Sequence, residues 1–163
     1  MIDVDYVRPC KTRTISDNFK DHLARGSFSP GVDFTCPVGE TLVATANGTV
    51  ASATTNLKSS AGMAVIIKHR DGRLSHYFHL SKVLVKNGQR VKAGDVIGKS
   101  GNTGTATTGP HLHFAIKTRG GSWIDPEKLL RKEKRERIAE KKAATVVSDV
   151  PTPIVESPET PAG

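Results

Sequence analysis

The side chains most able to do chemistry in this chain are its six histidines, His22, His69, His76, His79, His111 and His113. Imidazole both ligates metals and moves protons near neutral pH. Aromatic residues make up only 5% of the chain, so the histidines do not belong to a generally ring-rich composition. Four of them lie in two tight clusters, HYFH at 76–79 and HLH at 111–113. The alternation in PHLHFAIK predicts a strand, and residues two apart in a strand share a face. His111 and His113 therefore project together, a spacing suited to one metal site. His76 and His79 are three apart, so a strand puts them on opposite faces and only one of them faces such a site. The spacing alone leaves open which of the two that is. His69, in KHRDGR beside a turn signal, reads as exposed. Cys10 and Cys36 are too few for a disulfide scaffold and no CxxC pattern is present, which argues against a cysteine-based zinc site. Two small, part-buried thiols are the expected reading, with pairing left open.

The elements that must position these residues are short. Up to about residue 130 the chain shows Val/Ile/Thr-rich runs separated by Gly, Asn and Asp, among them TLVATANGTVASATT and AGMAVIIKHRDGRLSHYFHL. Asn47-Gly48 and Asp71-Gly72 fall between such runs, a strong hairpin signal. Strands about every ten residues predict a mainly β fold, an antiparallel sandwich or barrel. The sequence divides into a lead-in segment (1–26), a β domain (27–130), a charged helix rich in Glu, Lys, Arg and Ala (131–144), and a disordered Pro-rich tail (145–163).

At 163 residues, 36% hydrophobic and 25% charged, the chain can build one ordinary core. Its apolar runs, such as Met63 to Ile67, are too short to cross a bilayer, so membrane insertion is not expected. The N-terminus MIDVDYVRPCKTR does not read as a secretory leader, so synthesis in the cytoplasm is expected. The net charge of +8 is uneven: residues 1–130 carry +7, residues 131–142 carry +4, and residues 143–163 carry −3. A basic body favours a polyanionic partner. No nucleic-acid motif is present and the aromatics needed for base stacking are few, so no specific nucleic-acid partner is expected.

Three runs resemble the lysostaphin/LytM-type zinc endopeptidases that act on bacterial cell walls. They are GVDFTCPVGETLVATANGTV, SHYFHLSKVLVKNGQRVKAGDVIGKSGNTGTATTGPHLHF and WIDPEKLL, which together span nearly all of the β domain. The resemblance implies the lysostaphin-type fold, a duplicated hybrid motif. It implies one zinc ion per chain and a peptide bond of peptidoglycan, in the stem or cross-bridge, as substrate. The Gly-x-Asp-Phe element implies Asp33 as a zinc ligand. YFHL implies His79 as catalytic, and GPHLHF implies His111 as catalytic and His113 as a zinc ligand. Anionic wall polymers would suit the basic body.

One position departs from that pattern. Where the family places its first zinc-binding histidine, four residues before the aspartate, this chain has Ser29. A neutral hydroxyl is a poor zinc ligand. Either the site is degenerate or another histidine fills it, and the upstream candidate is His22, in FKDHLARGSFSPGVD. With His22 in place, two imidazoles and one carboxylate make a catalytic zinc set, leaving one position open. His111 is then expected as general base, with His79 stabilising the oxyanion or passing the proton on; the two roles are interchangeable at this level. The entry segment resembles a phage-encoded branch of the family. A phage lysin released to the wall after synthesis, or a virion-borne hydrolase, is the expected setting. Two rivals compete. Paired turns in VKNGQRVKAGDVIGKSG also occur in biotinyl and lipoyl carriers, but the modified-lysine tripeptide is absent. A degenerate wall-binding or hydrolase-activating module is the stronger rival, since Ser29 stands where a ligand should.

Overall fold

The computed structural model describes residues 4–130. The charged helix expected at 131–144 and the tail expected at 145–163 lie outside the described residues. The elements are β1 (Ile15–Asp17), α1 (Phe19–Ala24), β2 (Val32–Phe34), β3 (Thr41–Val43), β4 (Gly48–Thr54), β5 (Met63–His69), β6 (Leu74–Val83), β7 (Arg90–Val91), β8 (Val96–Ser100), β9 (Leu112–Lys117) and β10 (Trp123–Ile124). All pairings are antiparallel, in the order β1-β2-β9-β6-β5-β4-β7. β10 extends the β2 edge of β9, and β8 links β6 to β3. The fold is mainly β, as expected, but the path does not close on itself, so it is an open sheet rather than a barrel.

The β-branched and aromatic runs form strands that are buried along much of their length, β2 at every position and β9 at all but its last. Phe34, Tyr77, Leu112, Phe114 and Ile116 are fully buried and belong to one hydrophobic core with Ile67, Leu80 and Ile97. Tyr77 packs against Phe114 with ring centroids 5.3 Å apart. Burying those side chains removes on the order of 2 kcal/mol each from contact with water. That packing fixes which face of β9 turns away from the core.

The two hairpin signals fare differently. Asp71-Gly72 does turn β5 into β6, with Gly72 at φ 86°. Asn47-Gly48 does not turn β3 into β4, because β3 pairs with β8 while β4 pairs with β5 and β7. Gly48 serves close approach instead: a Cβ there would lie 2.3 Å from the Lys68 carbonyl oxygen.

His69 corrects the sequence reading. It is buried, not exposed, and its Nδ1 donates to the Asn47 carbonyl at 2.8 Å. Its Nε2 meets the Ser75 hydroxyl at 2.8 Å, and the chain continues through Tyr77 to the Thr45 amide. A buried polar group is tolerated when its hydrogen bonds are satisfied.

Candidate metal centre and proton-transfer site

The register of three strands builds the floor of the site. Asp33 on β2 lies opposite His113 on β9, and His113 lies opposite Phe78 on β6. Cross-strand neighbours share a face, so the three side chains stand side by side. The Phe78 ring stacks on His113 at 5.4 Å with planes 22° apart. His111, two residues before His113, lies on the same side, with Nε2 3.7 Å from Asp33 Oδ1. The period-two reading of HLH is what the geometry shows.

His22 arrives on α1. Asn18 caps this helix: its side chain accepts from the Asp21 amide, and the Asp21 carboxylate accepts from the Asn18 amide, both at 3.0 Å. Such a capping box satisfies otherwise orphaned amides and makes a six-residue helix viable. His22 is its buried residue, and its Nε2 lies 3.3 Å from Asp33 Oδ2. The nearest ligand atoms of His22, Asp33 and His113 all fall within 4.8 Å of one another.

His79 reaches the site by breaking the strand pattern. β6 pairs with β9 through Phe78 and with β8 from Leu80 onward, so the partner changes at His79. There the backbone takes φ 69°, the only non-glycine positive φ among the described residues. That conformation costs a non-glycine residue about 1–2 kcal/mol. It is held by the His79 amide donating to the Ala61 carbonyl at 2.8 Å. The outcome corrects the alternation argument: Phe78 and His79 line the same cleft. His76 is not turned to the opposite face either. It lies opposite Ala115, two residues before Phe78, packed against the Phe78 and Trp123 rings at 5.6 and 5.1 Å.

One feature unites the four clustered histidines: each hydrogen-bonds a backbone carbonyl through one ring nitrogen. His22 Nδ1 donates to Asn18 at 3.0 Å, His79 Nδ1 to Thr103 at 2.8 Å, and His111 Nδ1 to Gly109 at 2.8 Å. His113 uses its other nitrogen, Nε2, toward Ser29 at 2.8 Å. A carbonyl only accepts, so the nitrogen facing it must carry the hydrogen. The remaining nitrogens are His22 Nε2 and His113 Nδ1, both beside Asp33, and the Nε2 atoms of His79 and His111. Carbonyl anchoring of this kind fixes tautomer and ring orientation in metal-binding histidines. Ser29 thus takes part through its main chain, as an anchor for His113. Neither Ser29 nor the Thr103 and Gly109 carbonyls could be assigned such a role from residue type, because main-chain acceptors leave no side-chain signature.

Electrostatics follow from this packing. Burial alone would raise the Asp33 carboxyl, but hydrogen bonds to His113 and His22 outweigh it and hold the group well below the usual carboxylate range. Burial lowers His22, yet the Asp33 contact wins and raises it. His79 is pushed down to about 4 by burial, with His111 adding to the effect, so it is neutral at pH 7. The residues line a cleft of about 400 Å³, with Phe28 almost fully exposed at its edge. The donor set suits zinc: two imidazoles and a carboxylate, all buried, at the wall of an open cleft.

Comparison with known proteins agrees with the fold. The model of peptidase family M23 matches residues 27–126. Peptidoglycan DD-endopeptidase ShyA of Vibrio cholerae is 44% identical over 90 residues, 55% of this chain and 20% of that protein. Murein hydrolase activator NlpD of Escherichia coli is 41% identical over 100 residues, 61% of this chain and 25% of that protein. The chain therefore spans a fifth to a quarter of the length of these relatives. The catalytic domain of the antimicrobial peptidase lysostaphin from Staphylococcus simulans superposes with a TM-score of 0.59 at 31% identity, over 78% of this chain and 92% of that one. With its fold, its histidine cluster and this match in hand, the chain belongs to peptidase family M23.

Proposed function

We propose that the protein is a zinc-dependent endopeptidase that hydrolyses peptide bonds in the stem or cross-bridge of peptidoglycan. The carrying observation is the arrangement of His22, Asp33 and His113, each imidazole anchored on a carbonyl with its other nitrogen turned to one carboxylate. His22 then supplies the ligand that Ser29 cannot. Zinc held there would polarise the scissile carbonyl and lower the pKa of a bound water.

The remaining work falls to His79 and His111, whose rings lie 4.7 Å apart. Neutral His79 keeps its hydrogen on Nδ1, so its Nε2 can take a proton but cannot stabilise an oxyanion until it has done so. This refines the division of roles: His79 takes a proton first, from the attacking water. His111 likewise carries its hydrogen on Nδ1, against the Gly109 carbonyl, so its Nε2, on the Asp33 side, can accept a hydrogen bond from that water and orient it. The proton then passes to the leaving amine, which closes the cycle.

A hydrolase activator without catalysis is the second reading, favoured by Ser29 at the usual ligand position and by the likeness to NlpD. Digestion of purified peptidoglycan, followed by analysis of the released fragments, separates the two. The proposal expects new amino and carboxyl termini that appear with the wild type and vanish with chelator or with His79→Ala. Fragments absent under all conditions, with zinc supplied, would favour the activator.

A further inference from the structure

Away from the cleft, Cys10, Cys36 and Glu40 form a second cluster, with their nearest ligand atoms within 4.8 Å of one another. Cys10 lies in the lead-in segment and Cys36 just beyond β2, three residues after Asp33. Both thiols are buried. The backbones that carry them are tied down on each side. The Pro9 carbonyl accepts from the Val43 amide at 2.9 Å, and the Thr12 amide donates to Glu40 Oε2 at 2.9 Å. The Thr14 carbonyl accepts from the Thr35 amide at 3.0 Å. The Cys10 thiol donates to the Thr12 carbonyl at 3.4 Å and the Cys36 thiol to the Glu40 carboxylate at 3.5 Å.

A metal is the poorer explanation of this cluster. Both Glu40 carboxylate oxygens already accept from Thr12. The Cys10 thiol is pushed up by its hydrogen bond with Cys36 and by burial, which opposes the standing pair of thiolates that a metal requires, whereas disulfide exchange needs each thiolate only in passing. A disulfide needs neither a free carboxylate nor a buried charge.

We propose that Cys10 and Cys36 are a modification site, a dithiol that closes to a disulfide and staples the lead-in segment to the strand carrying Asp33. The ring so formed spans residues 10–36 and contains α1 with His22 and β2 with Asp33. Two of the three clustered ligand residues therefore sit inside it, and oxidation would restrain the segment that presents them. The oxidant is a small-molecule or protein disulfide. Cys10, the slightly more exposed thiol, loses its proton and attacks one sulfur of the oxidant, forming a mixed disulfide and releasing a thiolate that takes up that proton. Cys36 then loses its proton and attacks Cys10 Sγ, and the second thiolate leaves with that proton. The two cysteines give up two electrons and two protons, and the oxidant becomes two thiols.

The test incubates the whole chain with oxidised glutathione under native conditions, beside Cys36→Ala and Cys10→Ser. Intact mass, peptide mapping, melting temperature and zinc content are then read. Expected for the wild type are loss of two hydrogens, a cross-linked peptide joining Cys10 to Cys36, and a melting temperature raised by about 5–10 °C and reversed by reductant. Neither variant shows the mass loss. Three results would each overturn the inference: two thiols that persist, a stable glutathione adduct in place of the cross-link, or a cross-link that leaves the melting temperature unchanged. A second zinc bound by the reduced wild type and lost in both variants would assign the cluster to a metal instead.

Discussion

At Ser29 the side chain and the main chain make opposite predictions. A serine hydroxyl is a poor zinc ligand, but the Ser29 carbonyl holds His113 Nε2 at 2.8 Å, and any residue with the same backbone can do that. Ser29→Ala should therefore keep zinc content and cleavage within about twofold of wild type, whereas His22→Ala should lose most of the metal, by about 10–100-fold in affinity or more. Competition titration against a zinc chelator reads both. His79→Ala should retain zinc but lower kcat by about 100-fold or more, since it removes a proton carrier and leaves the ligands in place. His111 and His113 were legible because a period of two is all their geometry requires. His79 was reached through resemblance alone, since its left-handed backbone defeats any argument from alternation. The placement of His22 beside Asp33 depends on a helix angle and a loop, which no local pattern encodes.

Among the elements, the β2–β9 pairing carries the most consequence, because its register sets Asp33 beside His113. Gly31 stands at the entry to that pairing, where a Cβ would lie 2.4 Å from the Phe114 carbonyl oxygen and 2.8 Å from Ala115 Cβ. Backbone cannot yield as a side-chain tip can. Gly31→Ala should push β2 away from β9, costing about 1–3 kcal/mol in stability and weakening zinc binding together. Denaturant midpoints and metal titration on one preparation show whether the two losses coincide. The strands were legible from composition and alternation, and so was the Asp71-Gly72 hairpin. The Asn47-Gly48 signal misled because glycine there answers a steric demand from Lys68 rather than a demand for positive φ. His69 misled for a related reason: a turn two residues away says nothing about which strand folds over it.

Over the whole molecule, burial of histidines makes stability depend on pH. His76 and His79 are each pushed down to about 4 by burial, and burial lowers His69 as well. Their ordinary value is 6.5, so on acidification the unfolded chain takes up protons that the folded chain refuses. The contribution of His76 and His79 is complete above 6.5 and is lost as the pH falls from there toward 4, by on the order of 1 kcal/mol for each of the two between pH 7 and 5. His76 finds no hydrogen-bond partner for either ring nitrogen among the described residues. His76→Phe should therefore flatten the pH dependence of the melting temperature and raise its value at pH 5. An unchanged slope would place the proton uptake elsewhere. No helix among the described residues is long and apolar enough to cross a membrane. We propose that the basic body is drawn to anionic wall polymers by screened, long-range attraction. Raising the salt should then weaken retention on walls without altering cleavage of a short soluble peptide. The central claim is that His22, Asp33 and His113 together hold one zinc ion. Elemental analysis of the purified chain, wild type beside His22→Ala, tests it most directly. The account predicts close to one zinc per wild-type chain and almost none in the variant. A wild type that stays empty after zinc is supplied, or a variant that fills as well as the wild type, would contradict it.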